Sequence, residues 1–134
     1  MKLALVSPAA KREERRDRLR HDRAAAPVLR VAFPTLRHLR LELQFEGSAP
    51  STPAQQSHVL HPPARAFFEF CCPYADCDGR FDLTGAVNAA LAHPAHRAEG
   101  TLECSGNRAR HIGSKQPCQL RLIYTVTAAF QPDT

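Results

Sequence analysis

The chain reads as an α+β domain over residues 28–134, built on a four-stranded, mostly antiparallel sheet in the order ββαββ with one packed helix. Three observations predict it. Two stretches, one near each end of this region, alternate apolar and polar side chains with a period of two. A single stretch between them repeats its apolar residues at helical spacing, and clusters of Gly, Pro and Ser punctuate the boundaries.

Residues 1–27 stand apart as a flexible charged N-terminal extension. Residues 11–23 carry seven cations and four anions, so this arm supplies +3 of the formal net charge of +5. Leu19 is the one large apolar side chain in its middle, and Pro27 closes an alanine run. Such a segment is expected to bury no face, as a solvated helix with pairs such as Glu14 and Arg18 or as disordered chain.

The elements of the domain follow in order. Over 36–45, Leu39, Leu41, Leu43 and Phe45 alternate with Arg40, Glu42, Gln44 and Glu46, which predicts a half-buried strand. Gly47, Pro50 and Pro53 end it, and the Pro-, Ser- and Gln-rich run to about residue 63 predicts a loop. A second strand is expected over 64–71, with Phe68 and Phe70 on one face and Phe67 and Glu69 on the other. Asp82 is placed to cap a helix by accepting backbone N–H bonds. Leu83, Val87, Ala90 and Leu91 recur along that helix through His93, and Pro94 stops it. A short strand over 99–104 and a loop over 105–117 lead to a long final strand over 119–129. There Leu120, Leu122, Tyr124 and Val126 alternate against Arg121, Ile123, Thr125 and Thr127. The helix is expected to pack on the Phe68/Phe70 face.

The 134 residues suit one such domain. Much of the 43% hydrophobic content is alanine, so the core must come from Phe, Leu, Ile and Val clusters, which lie almost entirely after residue 28. The apolar run at residues 3–6 is shorter than the roughly 7–15 residues of a signal-peptide core. No stretch nears the ~20 apolar residues a helix needs to cross a bilayer. Five cysteines without a secretory signal point to a reducing compartment, and a cytoplasmic location is expected.

The densest chemistry lies in Cys72-Pro73-Tyr74-Ala75-Asp76-Cys77-Asp78-Gly79, followed by Cys104-Ser105-Gly106 and then Cys118. Thiolate sulfur is a soft ligand that holds zinc at about 2.3 Å, and four such ligands close the shell against water. Pro73 fixes a turn within the first pair, and Gly79 relieves the chain as it leaves. In the expected fold Cys72 ends the second strand, Cys104 ends the third and Cys118 opens the fourth, so the ligands converge at one end of the sheet. The expectation is one structural zinc ion held by Cys72, Cys77, Cys104 and Cys118, a donor set that also suits iron.

Over roughly residues 66–128 this arrangement resembles the zinc-ribbon and related rubredoxin-like knuckle proteins. Those proteins usually space both pairs as Cys-x2-Cys, whereas here four residues separate the first pair and thirteen the second. The resemblance implies a four-cysteine zinc-binding domain.

Other readings compete for the same residues. A shell of Cys72, Cys77, His93 and His96 looks like a two-cysteine, two-histidine finger. Its intervals of fifteen and two residues depart from the usual twelve or so and three to five. Pro94 breaks the helix that should present both imidazoles, and Cys104 and Cys118 are left without a role. The thiols can also be small buried hydrophobes or disulfide partners. Cys71, beside Cys72 in an alternating strand, should face away from the site. His58 and His61, in the Pro-rich loop, have only a weak reading as ligands.

A nucleophilic cysteine needs a base and a third group to orient it. His93 and His111 are available, yet no catalytic signature surrounds any cysteine, and four thiolates leave a metal no open position. The loop from Arg108 to Lys115 carries three cations, Arg108, Arg110 and Lys115, and no acid. It reads as a contact for a nucleic-acid backbone or as a solvated loop. Phe67 and Tyr74 are the aromatic side chains expected to be free for stacking. The chain is therefore expected to be a small non-catalytic zinc-binding domain that contacts nucleic acid or a protein partner through the arm and this loop. The alternative is a small thiol- or metal-dependent enzyme or redox protein.

Overall fold

A computed structural model of the chain describes residues 8–46, 55–74, 77–111 and 114–131. Its centre is a four-stranded antiparallel sheet in the order β2-β1-β8-β5, formed by β1 (Leu36–Glu46), β2 (Gln55–Leu60), β5 (Arg97–Glu103) and β8 (Arg121–Phe130). Two small two-stranded sheets accompany it. One pairs β3 (Glu69–Cys71) with β4 (Arg80–Asp82), and the other pairs β6 (Asn107–His111) with β7 (Ser114–Pro117). Three helices complete the described residues: α1 (Pro8–Ala25), α2 (Leu29–Ala32) and α3 (Thr84–Ala92).

The register explains which face is buried. Leu41 lies opposite His58 on one side and Val126 on the other, and Leu43 opposite Gln56 and Tyr124. Because side chains alternate along a strand, this pairing puts Leu39, Leu41, Leu43, Leu122 and Val126 on one face. All five are at most 2% exposed. Removing each such side chain from water stabilises the fold by roughly 1.5–3 kcal/mol. The other face carries Arg40, Glu42, Gln44 and Thr125 toward solvent. The α+β class and the alternation at both long strands are thus as the sequence predicts.

Helix α3 covers the buried face, packing on β5 and β8 through Val87 and Ala90. Its start is fixed by Asp82, whose carboxylate accepts the Thr84 backbone N–H at 2.9 Å and the Thr84 hydroxyl at 2.6 Å. It ends at Ala92, two residues before Pro94. Phe68, 3% exposed, sits in the same core.

Four expectations need correction. The strand expected over 64–71 is not a member of the main sheet. Residues 62–66 instead run beside 27–30, with Leu29 N–H donating to the Ala64 carbonyl at 2.7 Å and Ala66 N–H to the Pro27 carbonyl at 2.7 Å. Only Glu69–Cys71 is strand, and it pairs with β4. The fourth member of the main sheet is β2, inside the expected loop 47–63. As an edge strand it turns only Gln56, His58 and Leu60 toward the core face, so its sequence lacks an apolar alternation. The expected loop 105–117 likewise holds the hairpin of β6 and β7.

The fourth correction concerns the arm. Within 8–25 it is helical, and Leu19 is 5% exposed, so this segment does bury a face.

Candidate metal centre

The cysteines reach the site from three connections between strands. Cys72 follows β3, Cys77 lies in the turn leading to β4, Cys104 follows β5, and Cys118 lies between β7 and β8. The four Sγ atoms lie within 4.8 Å of one another, and every one of the four residues is buried. Cys77 Sγ and Cys104 Sγ are 3.5 Å apart, and Cys72 Sγ and Cys118 Sγ 3.8 Å. A disulfide requires about 2.05 Å, so all are free thiols. A tetrahedron with zinc–sulfur bonds of about 2.3 Å has edges of about 3.8 Å. These two separations match such edges.

The backbone repeats one device in both halves. Gly79 N–H donates to Cys77 Sγ at 3.3 Å, and Gly106 N–H donates to Cys104 Sγ at 3.4 Å. Cys72 N–H donates to the Gly79 carbonyl at 3.0 Å, and Cys118 N–H donates to the Gly106 carbonyl at 2.9 Å. Each half therefore consists of a Cys-x-Gly turn and one further cysteine hydrogen-bonded to its glycine. The order is reversed between halves: the further cysteine precedes the turn in the first and follows it in the second.

The two turns are laid directly against each other. A Cβ on Gly106 would overlap the backbone of Gly79, and a Cβ on Gly79 would overlap Cys104 Sγ. Asp78 fastens the contact, with its N–H donating to the Asn107 carbonyl at 3.2 Å and its carboxylate accepting the Asn107 N–H at 2.6 Å. Only glycine permits this approach at either position.

Four thiols this close cannot all ionise without a cation among them. Hydrogen bonding to Cys104, then to Cys77, together with burial, pushes the Cys72 thiol far above its ordinary range. The Cys77 thiol is raised as well, first by its hydrogen bond to Cys104. Cys104 is the one held down, as a thiolate accepting hydrogen bonds from Cys72, Cys77 and the Gly106 N–H. A divalent cation at the centre reverses this balance, because it stabilises thiolate at every position.

The rival histidine shell does not assemble. His93 is exposed, with Nδ1 accepting the Ala95 N–H at 3.0 Å, and the His96 ring packs on Phe130 with centroids 4.5 Å apart. His58 packs on Phe70 at 5.2 Å, and His61 lies edge-on to His38 at 6.3 Å. Cys71 is half-buried and outside the cluster.

The basic segment proves to be the β6–β7 hairpin next to the site, since Cys77 makes an isolated β-bridge with Arg108. The Arg108 guanidinium lies 3.8 Å from the centroid of the Tyr74 ring. Arg110 falls in β6 and Lys115 in β7, and both side chains lie outside the described residues. Phe67 and Tyr74 are not free as expected: Arg23 covers Phe67 at 5.4 Å, and Tyr74 packs against the core as well as beneath Arg108.

The sequence reading missed the two glycines as partners of the metal ligands. The signal was present as Cys-x-Gly at both 77–79 and 104–106. The chain matches no family model, no curated protein and no solved structure. Among the described residues no helix is long and apolar enough to cross a membrane.

Proposed function

We propose that this protein is a small zinc-binding module in which Cys72, Cys77, Cys104 and Cys118 hold one structural ion. The observation that carries this reading is the cluster of four buried Sγ atoms within 4.8 Å of one another, two pairs of which lie near the edge length of a zinc tetrahedron. The paired Cys-x-Gly turns, each with an N–H aimed at sulfur, support a knuckle geometry of the zinc-ribbon kind. Four thiolates leave the ion no position for a substrate, so its chemistry is to join the two hairpins and not to catalyse. A reducing compartment such as the cytoplasm keeps the thiols available for it.

The test is elemental analysis of the purified protein and its single Cys→Ser variants. One zinc per chain, lost in the variants at 72, 77, 104 and 118 and kept at 71, is the expected result. Iron in place of zinc would keep the site and change the ion. Zinc retained after Cys104→Ser or Cys118→Ser would overturn the four-cysteine shell.

The partner proposed is nucleic acid. The β6–β7 hairpin leaves the metal end with Arg108, Arg110 and Lys115 and no carboxylate, a composition suited to phosphate. Single-stranded RNA and DNA should bind with an affinity that falls as salt rises, with a log–log slope of about −0.7 per phosphate contacted. Charge reversal at Arg110 and Lys115 should flatten that slope. Undetectable or salt-independent binding would remove nucleic acid and leave a protein partner.

A further inference from the structure

Helix α1 is an unusual element, since from Glu13 to Ala25 only Leu19 is buried and only Arg15 is half-buried. An isolated helix of 18 residues with so polar a surface is marginal in water. Its internal ion pairs, Glu13 with Arg16 at 3.9 Å and Asp17 with Arg20 at 3.1 Å, are exposed and weak. Among the described residues, what remains to hold it is a single face. Arg15, Leu19, Asp22 and Arg23 recur at helical spacing, and the contacts of this face lead to one place.

That place is the segment carrying the first half of the metal centre. Arg15 donates to the Gly79 carbonyl at 3.4 Å, Asp22 pairs with Arg80 at 3.6 Å, and Arg23 covers Phe67. Helix α1 also packs against β3. Arg80 in turn pairs with Glu69 at 3.6 Å, across the β3–β4 hairpin. Each strand of this hairpin has three residues, and an isolated hairpin is at best marginally stable. The residues that fix its far end are Cys72, Cys77 and Gly79.

We infer that α1 is a clasp on the metal centre, docked while the four-thiol site is loaded and released, with its cations, when the site is emptied. The inference rests on the metal-binding reading above. Its structural link is one carbonyl: Gly79 O accepts both Arg15 and the Cys72 N–H, while Gly79 N–H donates to Cys77 Sγ. Losing the ion removes the order of the hairpin against which α1 packs. Because coupling between two sites is reciprocal, weakening the clasp must also weaken retention of the metal.

The experiment has two arms, both on the full chain. In the first, trypsin cleavage at the cations of residues 11–23 is followed by mass spectrometry in zinc-loaded protein, after chelation and after zinc is restored. Chelation should speed cleavage about tenfold and zinc should reverse it. In the second, zinc transfer to a chromogenic chelator is timed for Leu19→Ser, Arg15→Ala and, as a control at an exposed position of the same helix, Arg20→Ala. Transfer should be about tenfold faster for the first two and unchanged for the control, with amide protection of β1 and β8 intact in all. A protein that takes up no zinc overturns the metal reading and the clasp together. Zinc uptake with unaltered transfer rates in Leu19→Ser and Arg15→Ala overturns the clasp alone, including when cleavage still depends on metal, since global loosening of the metal-free chain then accounts for it.

Discussion

Between β1 and β8 the interior is hydrocarbon, with Leu39, Leu41, Leu122 and Val126 wholly withdrawn from water. Around Gly79 and Gly106 it consists of four thiols and two bare backbones pressed together. The first region needs nothing beyond its own side chains, because burial of apolar area is favourable wherever the strands pair. The second gains little area and gathers sulfur atoms that repel one another once ionised. On the proposed metal-binding reading, each region has its own stabilising agent: packing for the sheet, an ion for the hairpins. Phe81, 1% exposed and 5.8 Å from Phe45, belongs to the same buried cluster as the thiols and the sheet leucines.

The largest expected effect comes from removing the ion. Structural zinc contributes on the order of 10 kcal/mol in small zinc peptides, comparable to the stability of a whole domain. Chelation, or Ser at 72, 77, 104 or 118, should therefore abolish the cooperative thermal transition or lower its midpoint steeply in calorimetry. Cys71→Ser, outside the cluster, should leave it unchanged. Equal thermal stability with and without metal would remove the contrast between the two regions.

Leu41→Ala comes next and breaks the other side of the comparison. Leu41 is 0% exposed between His58 and Val126, so truncation should cost ~2–5 kcal/mol by chemical denaturation. Zinc stoichiometry should stay at one per chain. Loss of the metal in this variant would show that the hairpins depend on the sheet as much as on the ion.

Acid tests the thiol end. In the metal-free protein Cys72 and Cys77 are held protonated above the usual thiol range, so metal uptake must release their protons. Cys104, already held down as thiolate, has none to release. Lower pH therefore favours the protonated, metal-free state, and the protons of Cys72 and Cys77 alone should lower zinc affinity by about a hundredfold, ~2.7 kcal/mol, per pH unit. A chelator competition series between neutral and mildly acid pH measures the slope. A flat profile would mean that these thiols do not bind the ion.

How much of this was legible in the sequence divides along the same line. Strand alternation exposed β1 and β8 because both turn large apolar residues to one side, and Pro94 and Asp82 bounded α3. The edge strand β2 was hidden because Gln56 and His58 occupy its inward positions, and an edge is held by backbone hydrogen bonds that leave no side-chain pattern. The face of α1 was hidden for a related reason: three of its four members, Arg15, Asp22 and Arg23, are charged, so an apolar count registers only Leu19. The four cysteines were legible from residue type and spacing. The glycines that make their approach possible were written beside two of them, and their partnership required knowing that the turns meet.

The smallest effect separates two glycines that look alike in sequence. Gly106 lies against the backbone of Gly79, which has no side chain to swing aside, and its N–H is the donor to Cys104 Sγ. Gly106→Ala must part the two turns, at ~1–3 kcal/mol for a forced backbone shift. It should weaken zinc binding by about 10–100-fold, as loss of a partner of a metal ligand does. Gly100 sits in β5 opposite Tyr124, and a Cβ there meets the far end of that side chain, first its hydroxyl. A half-buried tyrosine can rotate away, and alanine in a strand recovers about 0.5–1 kcal/mol of the conformational entropy that glycine loses on folding. Gly100→Ala should therefore stay within about 1 kcal/mol of the parent and bind zinc with parental affinity. Equal loss of zinc affinity in both variants would place the constraint in the sheet; loss confined to Gly106→Ala places it in the meeting of the two turns.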